Sequence, residues 1–230
     1  MLLDDLKPIL SSPINPMIKT DGRYKLASVL VVIYGKEPII IMTEKPKDMK
    51  FHAGEISFPG GKLDVEDSDL LQTALRETSE EIGLEITKEQ VTGQLEPVVT
   101  LNSGFLILPF VSVIDEIPTL AANSEVEKIF HIKLEPFLKT MANDPNPSHN
   151  IIQEMYTFEY QNQIVWGASA RILRQIQNLL KPWDSFKKSS SCLKIYGRTE
   201  VFSKKDSSAK KNKAGSTRTS LDNPQNKASC

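Results

Sequence analysis

Glu77, Glu80 and Glu81 are the residues whose types and spacing could do chemistry together. On a helix of about 100° per residue, Glu80 and Glu81 fall roughly 60° and 40° to either side of Glu77, so the three carboxylates share one stripe. Leu71, Ala74, Leu75, Thr78 and Ile82 occupy the adjacent stripe and can dock on a sheet. A helix that packs by one side and presents carboxylates on another suits a hard divalent cation, which prefers oxygen ligands and shares them with substrate phosphates. Acidic residues on an amphipathic helix are, taken alone, more often just its solvated face.

The residues around the three glutamates tip that balance. Gly61 is followed by Asp64, Glu66 and Asp67, and then by Arg76-Glu77-x-x-Glu80-Glu81-x-Gly83-Leu84. This ordered pattern closely resembles the Nudix box, a loop–helix–loop metal site for hydrolysing a nucleoside diphosphate linked to another group. Gly61 and Arg76 stand one position further apart than in the usual box. The additional residue lies in the acidic loop, so whether Glu66, Asp67 or neither matches the first glutamate of the box stays open. The resemblance implies an α/β chain: a Nudix-type α/β/α sandwich with a mixed β-sheet and a loop–helix–loop catalytic motif. It also implies Mg²⁺ or Mn²⁺ as cofactor and Glu77, Glu80 and Glu81 as its ligands. Arg76, one helical turn before Glu80, is expected to orient them, with a purely structural ion pair as the plainer reading. Glycines at 60 and 61 would let the backbone turn sharply and come close to the site.

A second pattern precedes the box: Ile41-Met42-Thr43-x-Lys45-Pro46, then Lys50, Gly54 and Phe58-Pro59-Gly60-Gly61. It resembles, step for step, the motif of the Nudix branch that cleaves coenzyme A. Lysines stand at 45 and 50 where that branch has arginines, which keeps the charge but replaces a planar fork with a point charge. Pro46 stands in a serine or alanine position. Glu125-Val126 ahead of Phe130, and Val165-Trp166-Gly167, are also similar to this branch, and the resemblance covers roughly residues 24 to 180. It implies Lys45, Lys50, Gly54, Phe58, Gly60 and Gly61 as substrate-binding residues. The reaction implied is hydrolysis of the pyrophosphate bond of coenzyme A or its thioesters, giving 3′,5′-ADP and 4′-phosphopantetheine. The rival is the same chemistry on ADP-ribose or another nucleoside diphosphate derivative. A reading from another class is a nucleotide-binding module of this fold without turnover, against which the three retained glutamates argue.

Glu80, Arg76 and Glu125 are the expected catalytic residues. Clustered carboxylates can raise the pKa of one member, which makes a box glutamate a candidate base. Members of the family often carry a base in a separate loop, which points to Glu125 or Glu127. Glu55 and His52 lie near the substrate motif, but an ordinary loop or packed side chain is the simpler account of both, as it is of His131 and His149.

Composition narrows the setting. The chain has 230 residues, 40% hydrophobic and 25% charged, with a formal net charge of −1. That near-balance hides an asymmetry: residues 181–230 carry twelve Lys/Arg against four Asp/Glu, a net of +8, so the body carries −9. Both cysteines, Cys192 and Cys230, lie in this tail, so neither a disulfide framework nor a cysteine metal site is expected for the body. No secretory pattern opens the chain and no apolar run is long enough to span a membrane, so a soluble cytoplasmic protein is expected. The partner is a small nucleotide-like substrate, with no membrane, a homodimer left open, and nucleic acid reduced to weak polyanion contact through the tail.

Three segments follow: an N-terminal helix and loop over 1–23, a Nudix domain over 24–180, and a basic Ser/Lys-rich tail over 181–230. The tail, from Lys204 at least, has too little to bury to offset its ordering entropy. The β-branched run Leu26–Tyr34 reads as a buried strand, with Ile39–Met42 as its hairpin partner. Further strands are expected over Val91–Leu101, Leu106–Asp115, Glu125–Ile132, Ile151–Tyr160 and Ile164–Trp166. Helices are expected over Leu2–Leu10, Leu134–Lys139 and Gly167–Leu180.

Overall fold

The run Lys25–Tyr34 buries alternate side chains on opposite faces, and two separate cores grow from it. The computed structural model describes residues 1–48, 53–100, 103–146 and 155–195, with side chains described as far as residue 181. Two compact units divide the chain, Met1–Lys188 and Ser189–Cys230; of the second only the helical residues through Ile195 are described. In chain order the elements are α1 (Leu3–Leu10), β1 (Lys25–Tyr34), β2 (Ile39–Glu44), β3 (Ile56–Ser57), β4 (Gly60–Lys62) and α2 (Leu70–Ile82). A 3₁₀ turn then leads into β5 (Val91–Gln94), β6 (Val98–Val99), β7 (Phe105–Ile114), β8 (Lys128–Lys133) and α3 (Leu134–Leu138). The remainder is β9 (Ala142–Asn143), β10 (Tyr156–Tyr160), β11 (Gln163–Val165) and α4 (Gly167–Ile195).

The main sheet is mixed. β1 and β7 pair in parallel over their full length, and every other pairing in it is antiparallel. Leu30 and Val32 point into one core with Leu70, Leu71, Ala74 and Ile82 of α2. Val31 and Ile33 point into the other with Leu3, Leu6 and Leu10 of α1 and Ile172, Leu173 and Ile176 of α4. Helices therefore cover both faces, an α/β/α sandwich. α1 belongs to the body and is not an appendage.

The site is made by a fork in this sheet. β1 and β2 pair only at Ile33–Ile40 and Tyr34–Ile39. Beyond that they diverge: Thr43 and Glu44 pair with β3, while Ala27, Ser28 and Val29 pair with β4. Phe58-Pro59 bridges the fork, and the Leu30 N–H donates to Pro59 O at 3.0 Å. Gly60 fits there because its φ of 153° and the backbone of Ser28 and Val29 leave no space for a Cβ.

Several expected elements change. The strand expected over Val91–Leu101 is broken into β5 and β6. Pro97 cannot donate to a ladder, and the Glu96 N–H and C=O are both taken by the side-chain amide of Gln175. The strand expected from Glu125 begins at Lys128, because the Glu125 N–H caps onto Asn123 Oδ1 at 2.8 Å. The hairpin strand expected from Ile151 is described from Tyr156; residues 151–154 lie outside the described residues. The last helix does not stop at Leu180 but continues to Ile195. Pro182 lies within that span, where a proline removes one hydrogen bond without having to end the helix. The tail's compositional boundary at residue 181 is thus not a boundary of the helix.

Candidate active site

α2 begins where the acidic loop ends because Asp69 caps it, accepting from the Gln72 N–H at 2.8 Å. It stops at Gly83, whose φ of 67° is left-handed and whose N–H reaches Ser79 O. Leu71, Ala74, Thr78 and Ile82 of the docking stripe are buried, and Leu75 is partly so. The adjacent stripe carries Glu77 and Glu81 against Gly61 and Gly60 of the fork, with Glu80 exposed beside them.

Each glutamate meets a different environment. Glu81 is 2% exposed; its Oε1 lies 2.6 Å from Lys45 Nζ, and its Oε2 accepts from the Gly60 N–H at 3.3 Å. Burial pushes its carboxyl up, Glu77 adds to this, and Lys45 and the Gly60 N–H oppose it. Glu77 sits against Gly61 so closely that a methyl group there would run into its carboxylate. Burial pushes Glu77 up as well, with Glu80 and Glu125 adding repulsion and Arg76, 3.0 Å away, opposing. Glu80 is the exposed member, held by Arg76 Nη1 at 3.0 Å.

Arg76 is itself clamped. Its Nε and Nη2 donate to Asp67 Oδ1 and Oδ2, each at 3.0 Å, and Thr73 Oγ1 donates to the same carboxylate at 2.9 Å. The Arg76 guanidinium holds the Asp67 carboxyl down at about 2, and Asp67 in turn raises the guanidinium further above its ordinary value. Asp67, not Glu66, faces the arginine; Glu66 only donates its N–H to Asp64 Oδ1.

The loop after β7 completes the cluster. The Ala121 and Asn123 N–H groups donate to Ile82 O and Glu81 O at 3.0 Å, satisfying carbonyls that the end of α2 leaves open. Buried Val126 anchors the loop, and the Glu127 N–H donates to Glu44 O. Glu125 consequently stands 3.9 Å from Lys45 Nζ and is 60% exposed.

Of the expected site residues, Lys45, Gly60, Gly61, Arg76, Glu77, Glu80, Glu81 and Glu125 come together. Gly54 closes the loop behind Lys45, with φ 69° and its N–H on Lys45 O at 3.1 Å. Phe58 needs correction as a substrate-binding residue. It is 2% exposed and packed in the α4-side core, because the bridge across the fork turns its ring inward. Lys50, His52 and His149 lie outside the described residues. Sequence reasoning missed the Lys45–Glu81 pair, whose partners are 36 positions apart. It also missed buried Glu44, which accepts from the Gln163 side chain at 3.4 Å.

Among the described residues no three His, Cys, Asp or Glu side chains converge closely enough to hold a metal ion as they stand. Arg76 and Lys45 draw the glutamates aside. The donor set nonetheless fits a hard cation: carboxylate oxygens only, on one helical stripe, two of them short of solvation and repelled by their acidic neighbours.

Fold and site together present a loop–helix–loop with three glutamates on one helical stripe. The NUDIX domain model matches residues 24–150. Over 174 residues the chain is 31% identical to the uncharacterized Nudix hydrolase NudL of Photorhabdus laumondii, covering 73% of this chain and 90% of that protein. The NudL of Yersinia enterocolitica is 34% identical over 154 residues, 65% of this chain and 78% of that protein. A MutT/nudix family protein from Enterococcus faecalis superposes with a TM-score of 0.50 at 14% identity, over 72% of this chain and 65% of that one, a likeness of fold alone. The chain belongs to the NUDIX family and is a Nudix hydrolase. No helix among the described residues is long and apolar enough to cross a membrane.

Proposed function

We propose that the chain hydrolyses the pyrophosphate bond of coenzyme A or its thioesters, releasing 3′,5′-ADP and 4′-phosphopantetheine. One observation carries the substrate reading: Lys45, which belongs to the stretch that resembles the coenzyme A motif, meets Glu81 at 2.6 Å in the carboxylate cluster. A lysine there stands beside the position a diphosphate would take.

Glu77, Glu80 and Glu81 would hold Mg²⁺ or Mn²⁺, which when bound supplies charge neutralisation of the phosphate oxygens and activation of water. The chain's own groups do the rest. Arg76, clamped by Asp67, fixes the directions of Glu77 and Glu80. Lys45 offers an ammonium to a phosphate oxygen in exchange for its bond to Glu81. Gly60 and Gly61 keep the backbone close enough for the Gly60 N–H to orient Glu81. Glu125, exposed at the rim and 3.9 Å from Lys45 Nζ, would take the proton of an attacking water.

The test is incubation with coenzyme A, ADP-ribose, NADH and a diadenosine polyphosphate, each with Mg²⁺ or Mn²⁺, followed by chromatography. Coenzyme A should be consumed fastest and give the two named products. Consumption of ADP-ribose with coenzyme A intact would transfer the reading to that rival, and no turnover of any compound would favour a binding module.

A further inference from the structure

An open cavity of about 360 Å³ lies on the α2 side of the sheet, between β8 and the loop that follows β7, and the chemistry above does not use it. Tyr34, Ile129 and His131 of the sheet and Ile117, Pro118 and Leu120 of the loop line it. α2 packs over β1, β4 and β7, so this flank of the sheet is covered by the loop instead. The Tyr34 hydroxyl and His131 Nδ1 are 2.9 Å apart and the two rings meet edge to face. Burial raises the Tyr34 phenol above its ordinary value.

Two continuities tie this cavity to the carboxylate cluster. The loop that walls it, Ile117–Leu120, runs directly into Ala121 and Asn123 on the end of α2, and on to Glu125. Its strand β8 pairs with β2 so that His131 faces Ile41 and Ile129 faces Thr43. Lys45 follows four residues after Ile41, just past the end of β2, so about 13 Å of extended chain separates them. A nucleoside diphosphate and the reach of a lysine side chain together are of that order of length.

We propose that this cavity receives the purine base of the nucleoside diphosphate substrate, with the His131 and Tyr34 rings packing on its face or edge and apolar residues covering the other side. Aromatic pairs favour such a planar, polar-edged guest, and a shallow cavity with few polar groups suits a base better than a charged arm. The proposal rests on the substrate being a purine nucleoside diphosphate and not on which one.

The experiment uses the full chain and two mild variants, Tyr34→Phe, which keeps the ring, and His131→Gln, at an exposed position. Binding of adenosine 3′,5′-bisphosphate and of 4′-phosphopantetheine is measured by calorimetry without metal, alongside KM and kcat for coenzyme A and ADP-ribose. Both variants should bind the bisphosphate about tenfold more weakly with unchanged phosphopantetheine affinity. KM should rise by a similar factor for whichever diphosphate is cleaved, with kcat nearly constant. Unchanged bisphosphate affinity, no bisphosphate binding by the parent chain, or a loss confined to phosphopantetheine would each overturn the proposal. If ADP-ribose alone is cleaved and its KM shifts in the variants, the coenzyme A reading fails while the base site stands.

Discussion

Asp67→Asn should separate the clamp on Arg76 from the chemistry it serves. Asp67 is 1% exposed at its side chain and accepts two hydrogen bonds from Arg76 and one from Thr73. Asparagine has nearly the same volume, but its NH₂ would face a guanidinium donor. A carboxyl held at about 2 in place of the ordinary 3.8 corresponds to about 2 kcal/mol at neutral pH. Arg76 remains 29% exposed, so solvent screens part of this, and a loss of about 1–2 kcal/mol is expected. In a domain of this size that lowers Tm by about 2–8 °C. Because the folded pKa lies below the unfolded one, the contribution is complete above about pH 4 and disappears as pH falls toward 2. Urea unfolding of both proteins between pH 7 and pH 3 should show a constant gap that narrows below about pH 4. Turnover should fall about 10–100-fold, as when a ligand loses its supporting partner. Equal stability at pH 7, or a gap that does not narrow in acid, would refute the clamp.

Further variants divide structure from catalysis. Gly60→Ala meets the fixed backbone of Ser28 and Val29 and should destabilise the chain by about 2–4 kcal/mol in chemical denaturation. Gly61→Ala meets only the movable end of Glu77, so the fold should survive while kcat falls. Phe58→Ala should cost about 3–5 kcal/mol, as for other buried phenylalanines, with KM unchanged in the protein that remains folded. A raised KM in that variant would restore Phe58 to the substrate.

The sequence made the helix and its stripe of carboxylates readable because helical spacing is local. Asp69 and Gly83 bound that helix with ordinary cap chemistry. The β1 strand was equally plain from its β-branched run. What escaped depended on distance along the chain. Lys45 finds Glu81, and Gln175 finds the Glu96 backbone, only once the sheet and α4 are assembled. A motif gives positions but not burial, which is why Phe58 read as a substrate contact although the fork turns it into the core. The spacing in the acidic loop did not show that Asp67, and not Glu66, lies within reach of Arg76. The short β3 and β4 are held by the splayed β1 and β2, and nothing in Gly54–Lys62 announces them.

The most direct measurement is mass spectrometry of the products formed from coenzyme A in H₂¹⁸O with Mg²⁺, for the parent chain and Glu80→Gln side by side. The predicted result is 3′,5′-ADP and 4′-phosphopantetheine from the parent, with one ¹⁸O carried into one of the two phosphates. Glu80→Gln, whose exposed carboxylate contributes little to stability, should stay folded and turn over at least a hundredfold more slowly. Intact coenzyme A after prolonged incubation, or a Glu80→Gln protein as fast as the parent, would contradict the assignment.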